Sequence, residues 1–416
     1  MRANSIREAS AGPLCGVKII DVSSVLMGPY ATQLLGEMGA DIIKVEAPDG
    51  DVVRLIGPSR SNGMGPIFLN TNRSKRSICL DLKKEVGRNA LLRLAETADV
   101  FFYNVRPQAM ARLGLAYEDL AAVNPKLIYV GVFGYGQDGP YAAKPAYDDL
   151  MQGATGVASF VAQSTGGPPR YVPLAMVDRI TGMAAVNATL AALYERSISG
   201  MGQRIDVPMF ETMVGFVLSD HLGGLTFDPP LDQGGYARLL SQARRPYKTM
   251  DGYICAMVYT DQQWRNFYRL LGREGELDAD RRLLSLKTRS EYVDELYSEL
   301  EEILSTKTTS EWLDQLSAAD IPVTPVHDQA SIFNDEHLVA INYFGYEEHP
   351  SEGRLRTLRH PQKWSRTQPR HSRTIPLQGE HGIEILREGG FSDREISDLA
   401  EDGALILKES PEEKLC

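Results

Sequence analysis

The sequence predicts an α/β fold in which helices cover a mostly parallel sheet. Three observations carry that expectation. Short β-branched runs alternate with helical stretches from Val17 to Val132. The 416 residues are 43% apolar and 24% charged, a globular balance. Gly and Pro are spread along the chain rather than blocked into linkers, which excludes a disordered or fibrous protein.

The strands are expected at Val17–Val22, Asp41–Glu46, Ser77–Leu82, Asp99–Tyr103 and Leu127–Val132. Between them, Tyr30–Met38, Glu85–Thr97 and Tyr117–Val123 carry apolar residues at helical spacing. Ligands of such sheets sit at the carboxyl ends of the strands, here the loops Ser23–Pro29, Ala47–Asp51, Asn104–Pro107 and Phe133–Gly139. The first of these loops holds one glycine and no GxGxxG, so it does not read as a dinucleotide site. An Ala-rich helix follows at Ile180–Arg196, and an apolar segment at Val207–Leu222.

Composition then divides the chain. Residues 1–224 form the first part of a large domain, and 225–246, with Pro229, Pro230, Gly234 and Gly235, a linker. Residues 247–326 form a small domain opened by a hairpin at Tyr247–Ala256 and rich in charged helices such as Ser290–Leu304 and Ser310–Leu316. Residues 327–416 form a tail rich in Arg, His and Pro, with a helical stretch at Glu380–Glu388.

Charge and cysteine usage narrow the function. With 44 Lys and Arg against 55 Asp and Glu, the net charge is −11, which argues against wide nucleic-acid contact. Cys15, Cys79, Cys255 and Cys416 form no CxxC pair, and a reduced compartment fits them. The stretch Met1–Leu14 lacks the apolar core of a secretory signal, and no long uncharged apolar run follows. The ending Glu413-Lys414-Leu415-Cys416 matches neither a prenylation box nor a peroxisomal address, so a cytoplasmic protein without a membrane partner is expected. The seven histidines show no HxH or HxxxH spacing, so no metal is expected. GxSxG and the phosphate-binding Gly-x4-Gly-Lys-Ser/Thr are absent, against hydrolase and NTPase chemistry.

Three segments remain. Asp178 follows an apolar run and directly precedes the Ala-rich helix. It reads either as a helix N-cap or as a carboxylate kept ionised by the helix dipole and able to attack an activated acyl group. The run Asn70–Ser77 puts Arg73, Lys75 and Arg76 within four residues, either a solvated loop or a phosphate contact. Asn104-Val105-Arg106-Pro107 marks a strand end leading to Arg112, itself a surface residue or a second phosphate contact.

With these residues in view, the chain resembles the class III CoA-transferases, which include formyl-CoA transferase and carnitine CoA-transferase. The likeness runs through Gly28–Gln33, Gly39–Glu46, Asn72–Leu82, Asn104–Leu115, Tyr135–Pro140 and Asp178–Gly182. It implies a Rossmann-like large domain, to which the chain returns in residues 327–416, and a smaller α+β domain, in an interlocked, ring-like homodimer. It also implies CoA transfer from an acyl-CoA to a carboxylic acid, with the CoA thioester as substrate and no permanently bound cofactor. By motif, Asp178 would be the nucleophile, with Tyr147 and Asp148 near the reacting thioester. Val25, Leu80, Asp81, Leu82, Lys83 and Arg112 would contact the nucleotide part of CoA, and Asn104, Val105 and Arg106 its pantetheine arm.

Departures from the family are equally specific. Leu26, beside Met27, stands where formyl-CoA transferase has a Gln that helps cover the anhydride, and Ala47 where an Arg follows the Lys-x-Glu strand end. The family's glycine-rich shielding loop is replaced by Met257-Val258-Tyr259-Thr260-Asp261, so a bulkier or less oxalate-like acid is expected. The related α-methylacyl-CoA racemases carry Gly-His-Asp where this chain has Ala146-Tyr147-Asp148, and tyrosine is a poor base at neutral pH. Racemase-like isomerisation and a non-catalytic acyl-CoA-binding protein are the two alternatives to transfer.

Overall fold

A computed structural model describes residues 12–407. The amino-terminal residues Arg2, Arg7 and Glu8, and the closing Glu413–Cys416, lie outside the described residues. The first of two compact units comprises residues 12–151, Leu174–Met213 and 338–407. Its main sheet has six strands, β1 (Lys18–Asp21), β2 (Asp41–Glu46), β3 (Lys75–Cys79), β4 (Val100–Tyr103), β5 (Ile128–Phe133) and β6 (Arg204–Pro208). They pair in parallel throughout, in the order β3-β2-β1-β4-β5-β6.

The expected α/β architecture is therefore present, and the order reverses between β1 and β4, where a crevice opens at the strand ends. β2, β3, β4 and β5 are buried along nearly their whole length, which is why β4 and β5 run apolar rather than alternating, whereas β2 and β3 bury charged residues as well. β3 begins two residues before the expected Ser77, because Lys75 and Arg76 are themselves buried strand residues. Glu85–Ala95 and Tyr117–Val123 form the expected covering helices, and the core joins their apolar faces to Ile20, Ile43, Phe101 and Tyr129.

The first helix, α1 (Met27–Glu37), starts directly after the β1 loop. The long helix, α2 (Met176–Ser199), begins four residues before the expected Ile180. Gly182 lets the two approach: a Cβ there would lie 2.9 Å from the Met27 carbonyl oxygen. The apolar segment after Gly202 turns out to be a strand followed by a helix, Met209–His221. After the expected helical stretch, seen at Gly382–Glu388, a further helix, Asp393–Glu401, completes the unit.

The second unit comprises Gln152–Pro173 and Val214–His337, so residues 152–173 and 214–224 group with it rather than with the large domain anticipated for 1–224. The expected hairpin forms from Tyr247–Lys248 and Tyr253–Ala256, and Val323–Pro325 adds a third antiparallel strand. Trp264, Phe267, Leu296, Leu300 and Trp312 centre its core. No helix among the described residues is long and apolar enough to cross a membrane.

Candidate active site

At the strand ends of the first unit lies a cleft of about 350 Å³, walled by Ser24–Met27 after β1, Asn104–Arg106 after β4, and Phe133 and Gly134 after β5. Lys144–Asp148, Asp178 and Met209 complete the lining. The cleft thus sits at the reversal of strand order, where the parallel topology leaves two adjacent loops diverging.

Asp178 is not the N-cap of α2. That position belongs to Ala175, which gives no side-chain cap. Asp178 is the third helical residue, and its backbone N–H donates to Asp148 Oδ1 at 3.0 Å. The neighbouring acid therefore satisfies an amide of the first turn, and the Asp178 carboxyl accepts no hydrogen bond from the described residues. Burial first, then the charge of Asp148, push that carboxyl up to about 7, and the Arg179 guanidinium only partly offsets them. Arg179 lies 4.2 Å from the Tyr30 ring centroid. Burial and a second carboxylate thus work against the ionised state that the helix end is expected to favour. A half-buried acid of this kind is a stronger base, and when ionised a stronger nucleophile, than an ordinary aspartate.

The cleft brings together Val25, Leu26, Met27, Asn104, Val105, Arg106, Tyr147, Asp148 and Asp178. Asn104 also braces the β1 loop: its Oδ1 accepts from the Ser24 N–H at 3.0 Å and its Nδ2 donates to the Ser24 carbonyl at 2.7 Å. Tyr147 is 67% exposed at the rim. Leu80, Asp81, Leu82, Lys83 and Arg112 are not among the lining residues. The Leu80 side chain is fully buried in the core, Asp81 and Leu82 are half-buried, and Lys83 and Arg112 are exposed. Tyr259 belongs to the second unit, where Arg238 lies 5.3 Å from its ring centroid.

Sequence reasoning missed Lys144. Its Nζ lies 3.4 Å from the Tyr141 ring centroid, and the adjoining Ala143 carbonyl accepts from Arg106 at 3.3 Å, tying two cleft loops together. The usable signal was a cation four residues before Asp148 in the loop that leaves β5. The basic run Arg73–Arg76 is neither a solvated loop nor part of the cleft lining. Arg73 pairs with Glu37, Lys75 with Asp21, and Arg76 with Asp41, Glu384 and Glu388, all three cations being buried. No group of His, Cys, Asp and Glu among the described residues is arranged to hold a metal ion.

The family model described as CoA-transferase family III matches residues 14–382. The succinate–glutarate CoA-transferase of Agrobacterium fabrum is 34% identical over 387 residues, covering 90% of this chain and 95% of that protein. The formyl-CoA:oxalate CoA-transferase of Shigella sonnei is 30% identical over 419 aligned residues, covering 94% and 99%. Among solved structures, Rv3272 from Mycobacterium tuberculosis superimposes with a TM-score of 0.78 at 30% identity, covering 90% of this chain and 99% of that one.

Proposed function

The chain belongs to CoA-transferase family III and is a CoA-transferase; we propose that it moves CoA from an acyl-CoA donor to a carboxylic acid with Asp178 as the covalent nucleophile. The observation that carries this is the state of Asp178, a half-buried carboxyl of raised basicity, without a hydrogen-bond donor among the described residues, on the wall of the strand-end cleft. An Asp178 oxygen attacks the thioester carbonyl, the C–S bond breaks and CoA thiolate leaves, giving a mixed anhydride. The thiolate then attacks the aspartyl carbonyl, releasing the donor's carboxylate and leaving CoA as a thioester on Asp178. The acceptor carboxylate attacks that thioester and expels the thiolate, which takes the acceptor's acyl group from the new anhydride and regenerates Asp178. Acyl activation is conserved at every stage, so no ATP is consumed, provided that water is kept from the anhydride.

Leu26, Met27, Phe133 and Met209 make much of the lining apolar. This supports an acid with more carbon than oxalate, as the name of the succinate–glutarate enzyme also suggests. The test is incubation with succinyl-CoA and a panel of carboxylic acids, followed by mass spectrometry for new CoA esters. Absence of any new ester would remove the transfer reading.

Isomerisation is separated from transfer by the α-carbon. A racemase exchanges the α-hydrogen with solvent, whereas the anhydride route leaves that carbon untouched. In deuterated buffer without an acceptor, the donor is expected to gain no α-deuterium above the uncatalysed rate. Rapid exchange dependent on Asp148 or Asp178, without ester formation, would reverse the assignment to isomerisation.

Lys83 and Arg112 test the nucleotide end. Both are exposed cations, and phosphate contacts by such groups are charge-assisted. Lys83→Ala or Arg112→Ala is expected to raise KM for acyl-CoA several-fold, and less for an acyl-pantetheine lacking the nucleotide. Equal losses with both substrates would separate these cations from the phosphates.

A further inference from the structure

We propose that Lys44 and Asp51 are positioning residues that hold Val25 in a left-handed backbone conformation and thereby set the cleft wall from Ser24 to Met27. The proposal rests on the reading that this cleft takes CoA. Val25 has φ 70°, a region that a β-branched residue enters only against its own Cβ. Asn or Asp is eased there by local hydrogen bonding, which a valine side chain cannot supply. The restraint comes instead from the neighbouring strand and the loop after it. The Val25 N–H donates to both Asp51 oxygens, at 3.1 and 3.2 Å.

Asp51 is 4% exposed and is fixed in turn by Lys44, whose Nζ donates to Asp51 Oδ2 at 3.0 Å. The same Nζ donates to the Ser23 carbonyl at 3.0 Å. With Asn104 holding Ser24 on both sides, three successive residues of the loop are tied to groups outside it. Asp51 also accepts from the Val53 N–H at 3.2 Å, which orients its carboxylate. Neither Lys44 nor Asp51 lines the cleft, whereas Ser24, Val25, Leu26 and Met27 all do. An ion pair serving stability alone has no need to aim both carboxylate oxygens at one strained amide beside the site. Releasing that amide lets Val25 return to negative φ, which turns the following peptide and moves Leu26 and Met27.

The experiment is a double-mutant cycle on the full chain, with CoA as the probe and its Kd read by titration calorimetry. With Val25 in place, Asp51→Ala is expected to weaken CoA binding at least tenfold, about 1.4 kcal/mol. In the Val25→Gly background the same change is expected to cost no more than about twofold, because glycine holds positive φ without a clamp. Equal losses in both backgrounds would overturn the proposal, leaving Asp51 a stabilising ion-pair partner. Should Asp51→Ala fail to fold with Lys44 left unpaired, Asp51→Asn keeps the volume and one acceptor oxygen. Its loss, about threefold, is likewise expected only with Val25 present, and a loss independent of Val25 overturns the proposal. Failure of the wild-type protein to bind CoA would bring down the CoA reading of the cleft, and this proposal with it.

Discussion

Asp178→Ala is expected to abolish CoA transfer, by roughly four orders of magnitude or more, while leaving the protein folded. The loss follows from the mechanism, in which the acyl and CoA intermediates are both carried on the Asp178 carboxylate. The Ala variant is the one on which activity is judged, because even slow deamidation of an Asn there would restore a trace of the acid and of turnover. Retained turnover in Asp178→Ala would end the nucleophile assignment.

Stability should move in the opposite direction. The Asp178 pKa rises from 3.8 to about 7 on folding. Between those values the folded state binds a proton that the unfolded state has released, so stability falls as pH rises through this window. Below about pH 4 both states hold the proton and no penalty exists. Asp178→Asn is therefore expected to be more stable than wild type above pH 7, by about 2–4 kcal/mol, with the gain shrinking to nothing near pH 4. Thermal midpoints measured from pH 4 to 8 check it, and a pH-independent difference would refute titration of Asp178 as the origin of the gain. The same titration predicts that kcat/KM for the acyl-CoA rises with pH through about 7.

The second large effect is structural. Lys75 is fully buried, and its Nζ donates to Asp21 at 3.1 Å, to the Pro29 carbonyl at 2.9 Å and to Asn72 Oδ1 at 2.9 Å. Burial pushes Lys75 down to about 8, against the pull of Asp21, so it remains charged at neutral pH. Burial also opposes ionisation of Asp21, but Lys75 and Lys44, with hydrogen bonds from Ser23 and Thr32, hold its carboxyl below the usual range. Lys75→Met strands that carboxylate in the interior and is expected to cost about 3–5 kcal/mol, read as a lowered urea midpoint. Adding Asp21→Asn should recover much of the loss, since the cost comes from the unpaired charge rather than from missing attraction. An unchanged midpoint in Lys75→Met would show the pair to be dispensable.

The alternation from Val17 to Val132 determined the parallel sheet, since strands buried on both faces are mostly β-branched and apolar and their crossovers are helical. Asp41–Glu46 and Tyr117–Val123 appear in the structure with the bounds that the sequence predicts. The same reading located the cleft at the loops Ser23–Pro29, Asn104–Pro107 and Phe133–Gly139, because parallel topology sends every carboxyl end to one edge. Burial and pairing were decided only by the tertiary structure. Arg73, Lys75 and Arg76 read as a solvated loop or a phosphate contact because a charge reveals its partner only when segments distant in sequence meet, as β3 meets Asp21 and Glu384. The raised pKa of Asp178 depends on its burial and then on Asp148, thirty residues earlier, reaching over the end of α2. Lys144 joined the cleft for the same reason: a side chain's surroundings belong to the fold, whereas periodicity belongs to the chain.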